Sequence, residues 1–329
     1  MKTEMSDGAS PIELTIMICT FHRETLLLNA LRSASEMPEI SSISCEFVVV
    51  DNSDEGTART VVERFASETS APLKYINAHP ANISVARNAG LDVARGTYIA
   101  MIDDDMTMQP GWLKGILPHL REGKYDVLFG PVVPVFEDQE LATRESRQFF
   151  HRDVALADGA PLIVLGAGRP SGFSPGAGNA ILQRATCIAA GERFDERYGR
   201  LGGEDTDFFF RLERRRRSFG WAANAATNEF VPIDRCSDEY LQRRSFVGGQ
   251  IFAATYVRNT DHPALTALKV GLIASVQLVT LLLISLFSGR RLIDRQRANR
   301  VRLAGVRGKL SWRRMVPFYG DAPNANAAK

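Results

Sequence analysis

Apolar residues gather in short, nearly unbroken runs along the N-terminal part of the chain. Leu14–Cys19 (LTIMIC) is followed by Glu46–Val50 (EFVVV), Leu73–Asn77, Tyr98–Ile102 (YIAMI) and Val127–Phe129. Runs of this length suit strands buried on both faces of a parallel sheet. Helix-like stretches lie between them: Thr25–Glu36, Thr57–Glu68, Ile83–Ala94 and Gly111–Leu120, the last with Pro110 near its start. Strands and helices in alternation predict a doubly wound α/β sheet. Such sheets bind ligands beyond the carboxyl ends of their strands, where Thr20, Asp51 and Asp103 fall.

From about Pro131 to Pro175 the pattern dissolves, and Pro, Gly and isolated charges predict loop and irregular structure lining a site. Gly166-Ala167-Gly168 follows an apolar run, but Ser171 stands where a dinucleotide fingerprint needs its third glycine, and Pro170 precedes it. Farther on, Val270–Phe287 holds 18 residues without a charge, the lower limit for crossing a bilayer. Ser275, Gln277, Thr280 and Ser285 weaken it, so a buried core helix is the alternative reading. Lys269 on one side and Arg290 and Arg291 on the other favour a membrane.

Charge sharpens that picture. The whole chain carries +2, yet Ser288–Val316 holds ten Lys and Arg against Asp294 alone, about +9, which leaves about −7 for the rest. A basic stretch beside an apolar segment fits anionic lipid better than nucleic acid, so no nucleic-acid partner is expected. The basic part favours the cytoplasmic side. With the body on that side too, one clean span is excluded, and a re-entrant or in-plane helix is expected. Met1–Ser10 has no apolar run and is not read as a secretory signal. Hydrophobic residues at 45% and charged residues at 24% are ordinary for a globular protein. Four scattered cysteines exclude a disulfide scaffold and fit a reducing compartment, and the lack of a C-x-x-C pair argues against a zinc knuckle.

Asp103, Asp104 and Asp105 directly follow YIAMI. Three crowded carboxylates repel one another unless a cation sits among them. In extended chain Asp103 and Asp105 point the same way and Asp104 the other, a half-shell for Mg²⁺ or Mn²⁺. A solvated acidic turn is the bland alternative. A second cluster, Gly202-Gly203-Glu204-Asp205-Thr206-Asp207, opens a helix whose last turn is Arg214–Arg217. Acids there complement the helix dipole; Asp205 could instead be a general base. Two enzymatic readings remain on these residues. Asp103-x-Asp105-x-Thr107 fits the nucleophile pattern of haloacid dehalogenase-type phosphatases, although three strand-like runs precede it rather than none. The other is transfer of a sugar from a nucleotide diphosphate. A non-catalytic, membrane-tethered nucleotide-sugar binding protein is a third possibility.

Taken together, the motifs resemble those of family-2 glycosyltransferases. They are Cys19-Thr20-Phe21-His22-Arg23, Val48-Val49-Val50-Asp51-Asn52-Ser53, Asn82-Ile83-Ser84-Val85-Ala86-Arg87-Asn88, the run from Gly96 through Asp105, Pro110-Gly111-Trp112-Leu113, Gly178-Asn179-Ala180, and Gly203-Glu204-Asp205-Thr206-Asp207-Phe208. The resemblance covers about Leu14 to Asn259 and is nearest to bacterial succinoglycan-type exopolysaccharide glucosyltransferases. It implies a GT-A fold and a donor-nucleotide site of Thr20, Asp51, Arg87, Asp103 and Asp104, with Asp51 accepting from a uracil ring. It further implies Asp105 and Asp103 as ligands of Mg²⁺ or Mn²⁺, Asn179 and Glu204 in the acceptor and sugar pocket, and Asp205 as the catalytic base. The implied reaction inverts the anomeric centre. It moves one sugar, glucose from a UDP-sugar, to a polyprenyl-diphosphate-linked oligosaccharide at the cytoplasmic face of the inner membrane.

One departure bears on polymer synthesis. The Q-x-x-R-W of polymerising members is absent; Gln242-Arg243-Arg244-Ser245-Phe246 is displaced from it and has no tryptophan. With one apolar segment rather than several, a single addition is expected rather than export of a polymer. The expected division is a flexible N-terminus (1–13), a glycosyltransferase domain (14–259), an apolar membrane-associated segment (260–289) and a basic cytoplasmic tail (290–329).

Overall fold

The computed structural model describes residues 11–166, 168–171, 173–287 and 293–318. Residues 1–10 of the expected flexible terminus, and Arg290 and Arg291 of the basic stretch, lie outside them.

The first half alternates as its sequence predicts. β1 (Leu14–Thr20), α1 (Glu24–Ser35), β2 (Cys45–Asp51), α2 (Arg59–Glu68), β3 (Leu73–Asn77), α3 (Ile83–Val93) and β4 (Tyr98–Asp103) follow in order. The strands are parallel in the order β3-β2-β1-β4. Alternation along each strand feeds two cores, one on each face. Ile16, Ile18, Phe47 and Val49 pack among α1 and α2, while Met17, Val48 and Val50 pack on the opposite side. α3 starts where it does because the Asn82 side chain accepts from the Ser84 and Val85 amides, satisfying donors that the first turn leaves open.

Next come β5 (Met106–Met108), α4 (Trp112–Glu122), β6 (Val127–Phe129), β7 (Val132–Phe136), α5 (Arg144–Phe150), β8 (Ala160–Pro161), β9 (Ala180–Gln183) and the single turn α6 (Arg184–Cys187). The stretch expected to be irregular from Pro131 to Pro175 thus holds two strands and a helix. They are short, and Pro131 and Pro134 mask the pattern. α7 (Glu204–Arg214), β10 (Phe219–Trp221) and β11 (Thr227–Val231) complete the α/β body. The main sheet has eight strands in the order β3-β2-β1-β4-β9-β6-β10-β8, with β9 antiparallel between β4 and β6. A small second sheet, β5-β11-β7, folds over the chain that leaves β4.

Three helices follow: α8 (Asp238–Arg258), α9 (Pro263–Phe287) and α10 (Ile293–Leu310). α9 is long and apolar enough to cross a membrane, and only 11% of its apolar stretch is buried in the protein. The basic stretch expected as a tail is different in kind, since its described part is a helix docked on α8. Ser245 donates to the Val301 carbonyl, and the Gln250 amide donates to the carbonyls of Ser311 and Arg314. Glycines permit the contact: a side chain on Gly249 would strike Gly305, and one on Gly308 would strike Phe246. The four cysteines are free thiols.

Candidate active site

Pairing in the sheet sets the site. Thr20 stands opposite Asp51, and Cys19 opposite Asp103, so the ends of β1, β2 and β4 form one edge. What those ends present differs in three respects from the sequence expectation.

The aspartate triplet is not extended. Asp103 ends β4, and Asp104 and Asp105 form the turn into β5. Asp103 and Asp105 therefore do not make the pair that an extended chain would give. Asp104 turns inward, accepting from the Thr20 hydroxyl at 2.8 Å and from Arg23 at 3.0 Å. The same Arg23 nitrogen reaches Asp105 at 3.1 Å, and Arg235 reaches it at 3.4 Å. Burial pushes the Asp105 carboxyl up to about 7, helped by the charges of Glu229, Asp103 and Asp104 and opposed by Arg23.

Asp51 is wholly buried and already saturated. Its oxygens accept from the Ser53 amide and hydroxyl, the Ala58 amide and the Tyr75 hydroxyl. Burial alone would raise its pKa, but these donors outweigh it and hold the carboxyl low. A carboxylate with four donors in place shapes the loop from Asn52 to Ala58. It leaves nothing free to accept from a base, as the sequence reading had assigned it.

Asn179 is likewise turned inward. Its backbone is left-handed at φ 63°, a conformation asparagine tolerates. Its side-chain oxygen accepts from the Trp112 indole at 2.8 Å, while its amide donates to the carbonyls of Pro131 and Ala225. It can shape a sugar pocket only by positioning the backbone. Asn179→Ala orphans three buried groups and strains the backbone, so a loss of about 3 kcal/mol or more is expected in urea unfolding. A loss below about 0.5 kcal/mol would contradict this role.

Arg87, on α3, joins the two acidic motifs. Its guanidinium, 8% exposed, reaches Glu204 at 2.5 Å and Asp103 at 3.5 Å and lies over the Phe194 ring. Glu204 opens α7 behind Gly202 and Gly203, both at positive φ. A side chain on Gly203 would also collide with Ile251 of α8. Burial, then the charge of Asp205, lifts the Glu204 carboxyl to about 7 against the pull of Arg87, and among the described residues no side chain or backbone group donates to its second oxygen.

Asp205 is half-buried, with Oδ1 bound by the Thr206 amide at 2.6 Å. The Gly176–Gly178 loop threads between it and the triplet. A Cβ on Gly176 would lie 3.6 Å from Asp205 and 3.1 Å from Arg152, and one on Gly178 would lie 2.5 Å from Asp103. At Gly178 a side chain would collide with Asp103 and Met106.

The sequence reading assigned no roles to Arg23, Arg152, Glu229 and Arg235. Arg152 pairs with Glu229 at 2.8 Å, so both belong to the charge network around Asp105. Arg23 closes the Cys19–Arg23 motif, whereas Arg152, Glu229 and Arg235 stand in no motif. Arg244 donates to Tyr240 and lies over Phe318.

Among the described residues no three acidic, histidine or cysteine side chains converge as a metal cage. Asp105 is buried beside Asp103, Asp104 and Glu229 and is paired with Arg23 and Arg235, so an ion held there would take the place of those arginines. Mg²⁺ and Mn²⁺ are commonly held by one or two carboxylates plus phosphate oxygens, and the residues fit that arrangement.

This fold and this edge define a GT-A glycosyltransferase. The chain belongs to glycosyltransferase family 2: the model for "Glycosyl transferase family 2" matches residues 15–168, and that for "Glycosyl transferase family group 2" matches residues 98–304. It is 31% identical over 239 residues to the succinoglycan biosynthesis protein ExoM of Rhizobium meliloti, covering 73% of this chain and 74% of that one. A shorter match, 25% over 119 residues, covers 36% of this chain and 37% of a GalNAc(5)-diNAcBac-PP-undecaprenol beta-1,3-glucosyltransferase of Campylobacter jejuni. The fold is shared with the mannosyltransferase PcManGT of Pyrobaculum calidifontis, solved with GDP-Man and Mn²⁺, at a TM-score of 0.54 and 16% identity over 91% of this chain and 89% of that one. Family membership makes the chain a transferase enzyme and retires both the phosphatase and the non-catalytic readings.

Proposed function

We propose that this enzyme moves a single glucose from a UDP-sugar to a polyprenyl-diphosphate-linked oligosaccharide. It acts in cell-surface or exopolysaccharide biosynthesis, at the cytoplasmic face of the inner membrane. The observation that carries the reading is the loop from Gly176 to Gly178, which brings Asp205 and the aspartate triplet to one edge. The likeness to a succinoglycan biosynthesis protein supports the pathway class, and the Campylobacter glucosyltransferase supports the sugar and the lipid-linked acceptor.

Asp105, with Asp103, would hold a divalent ion against the donor diphosphate. Such an ion supplies neutralisation of the charge that the leaving oxygen gains. Asp205 orients the acceptor hydroxyl and takes its proton. The hydroxyl oxygen bonds to the anomeric carbon as the carbon–phosphate-oxygen bond opposite breaks, so the centre inverts and an α-linked donor gives a β-linked product. Arg87 keeps Glu204 and Asp103 at fixed spacing, and therefore the two ends of the reaction in register.

The test is transfer from a panel of labelled UDP-glucose, UDP-galactose, UDP-N-acetylglucosamine and GDP-mannose to lipid-linked oligosaccharide. UDP-glucose alone should give product, with a β linkage. An α linkage, or preference for another donor, overturns the corresponding part of the reading.

A further inference from the structure

α9 has two faces. Ala267, Val270, Ala274, Gln277 and Leu281 recur at helical spacing and are half or fully buried. Val270 packs with Ala253 and Val257 of α8 and with Trp312, and the Lys309 ammonium of α10 donates to the Gln277 side chain at 3.2 Å. This contact stripe spans fifteen residues, about 21 Å at a rise of 1.5 Å per residue. The rest of its surface is exposed and apolar over a wide arc, with Leu268, Leu272, Ile273, Val276, Leu282 and Leu286 from 45% to 78% exposed.

α10 runs beside both neighbours. Ser245 and Gln250 of α8 meet Val301 and Ser311 in the same chain sense, so α8 and α10 are parallel. Trp312 near Val270 and Lys309 near Gln277 make α9 antiparallel to α10. α10 is also the basic helix, with Arg300, Arg302 and Arg307 exposed on it and Arg313 and Arg314 just beyond. A crossing α9 would draw Lys309 and these arginines into hydrocarbon, where charged side chains are strongly disfavoured. An in-plane α9 keeps them at the headgroups, where anionic lipid attracts them.

We propose that α9 lies in the plane of an anionic bilayer surface. Its exposed apolar arc is sunk at the acyl boundary, and both of its ends stay on the side of the catalytic body. The inference rests on the membrane association in the function proposed above and adds its geometry. It also gives the catalytic edge a fixed bearing on the membrane. Arg297 donates to the Cys236 carbonyl and pairs with Asp238, while the adjoining Arg235 reaches Asp105.

Two measurements on the full chain test it. The first is flotation with phosphatidylethanolamine–phosphatidylglycerol vesicles or neutral phosphatidylcholine vesicles. Wild type should float with the anionic vesicles, and binding should fall about tenfold for neutral ones and for the double variant Leu272→Glu, Leu283→Glu, with unchanged circular dichroism. No flotation with either vesicle overturns both this proposal and the membrane association beneath it. The second is depth. Leu268→Cys, Val276→Cys and Leu283→Cys carry a fluorophore quenched by lipids spin-labelled at shallow or deep positions, with the parent chain labelled as the blank. Equal, shallow quenching at all three is expected. Deep quenching at 276 between shallow ends indicates a crossing helix; it overturns the in-plane geometry and leaves membrane association standing.

Discussion

Asp205→Asn should lower sugar transfer by about 10²–10⁴-fold, the usual contribution of a positioned general base. Donor-nucleotide affinity should stay within about twofold of wild type, because the base meets only the acceptor proton. The substitution keeps the size of the side chain and its bond from the Thr206 amide, so a loss of activity would not be a loss of fold. The position suits the task. Asp205 sits on the first turn of α7, half-buried, while its neighbours Glu204 and Asp207 are buried and committed to Arg87, and to Arg211 and Asn259. Single-turnover transfer beside nucleotide titration separates the two effects. Near wild-type turnover in the variant would remove Asp205 from the reaction.

Arg87→Ala is expected to destabilise the protein by about 3–5 kcal/mol, since it leaves the buried Glu204 carboxylate without its counter-ion. The loss should grow with pH. Glu204 already titrates near 7 in the folded protein, above its ordinary 4.5, and without Arg87 it moves higher. A carboxyl raised on folding costs nothing below its unfolded value, and its cost increases as the pH climbs through the folded one. Urea midpoints at pH 6 and pH 8 should therefore diverge more from wild type at pH 8. A pH-independent loss would mean that Glu204 is not the group left unpaired. Activity should fall as well, because Arg87 also holds Asp103.

The parallel half of the fold was legible because β1, β2 and β4 are nearly unbroken apolar runs with amphipathic helices between them. β1, β2 and β4 lie within a residue of their expected limits. The second sheet was not, since β5 has three residues and β7 contains Pro134. The site was legible as an inventory but not as geometry. Sequence placed Thr20, Asp51 and Asp103 on one edge, and the register puts them there. It could not show that the triplet turns, because that turn is imposed by β5 pairing with β11, more than a hundred residues away. Nor could it show that Asp51 and Asn179 spend their polar atoms inward, since their partners come from other loops. The basic stretch looked like a free tail because its arginines dominate the composition. Gly305 and Gly308, which let it dock on α8, carry no such signal alone.

The most direct test of the account is calorimetric titration of UDP into wild type and Asp105→Asn, each with Mn²⁺ and with chelator. Wild type should bind UDP at least about tenfold more tightly with Mn²⁺, and Asp105→Asn should lose that gain. Equal UDP affinity in all four mixtures would contradict the assignment of the aspartate turn as the place where the donor diphosphate is held.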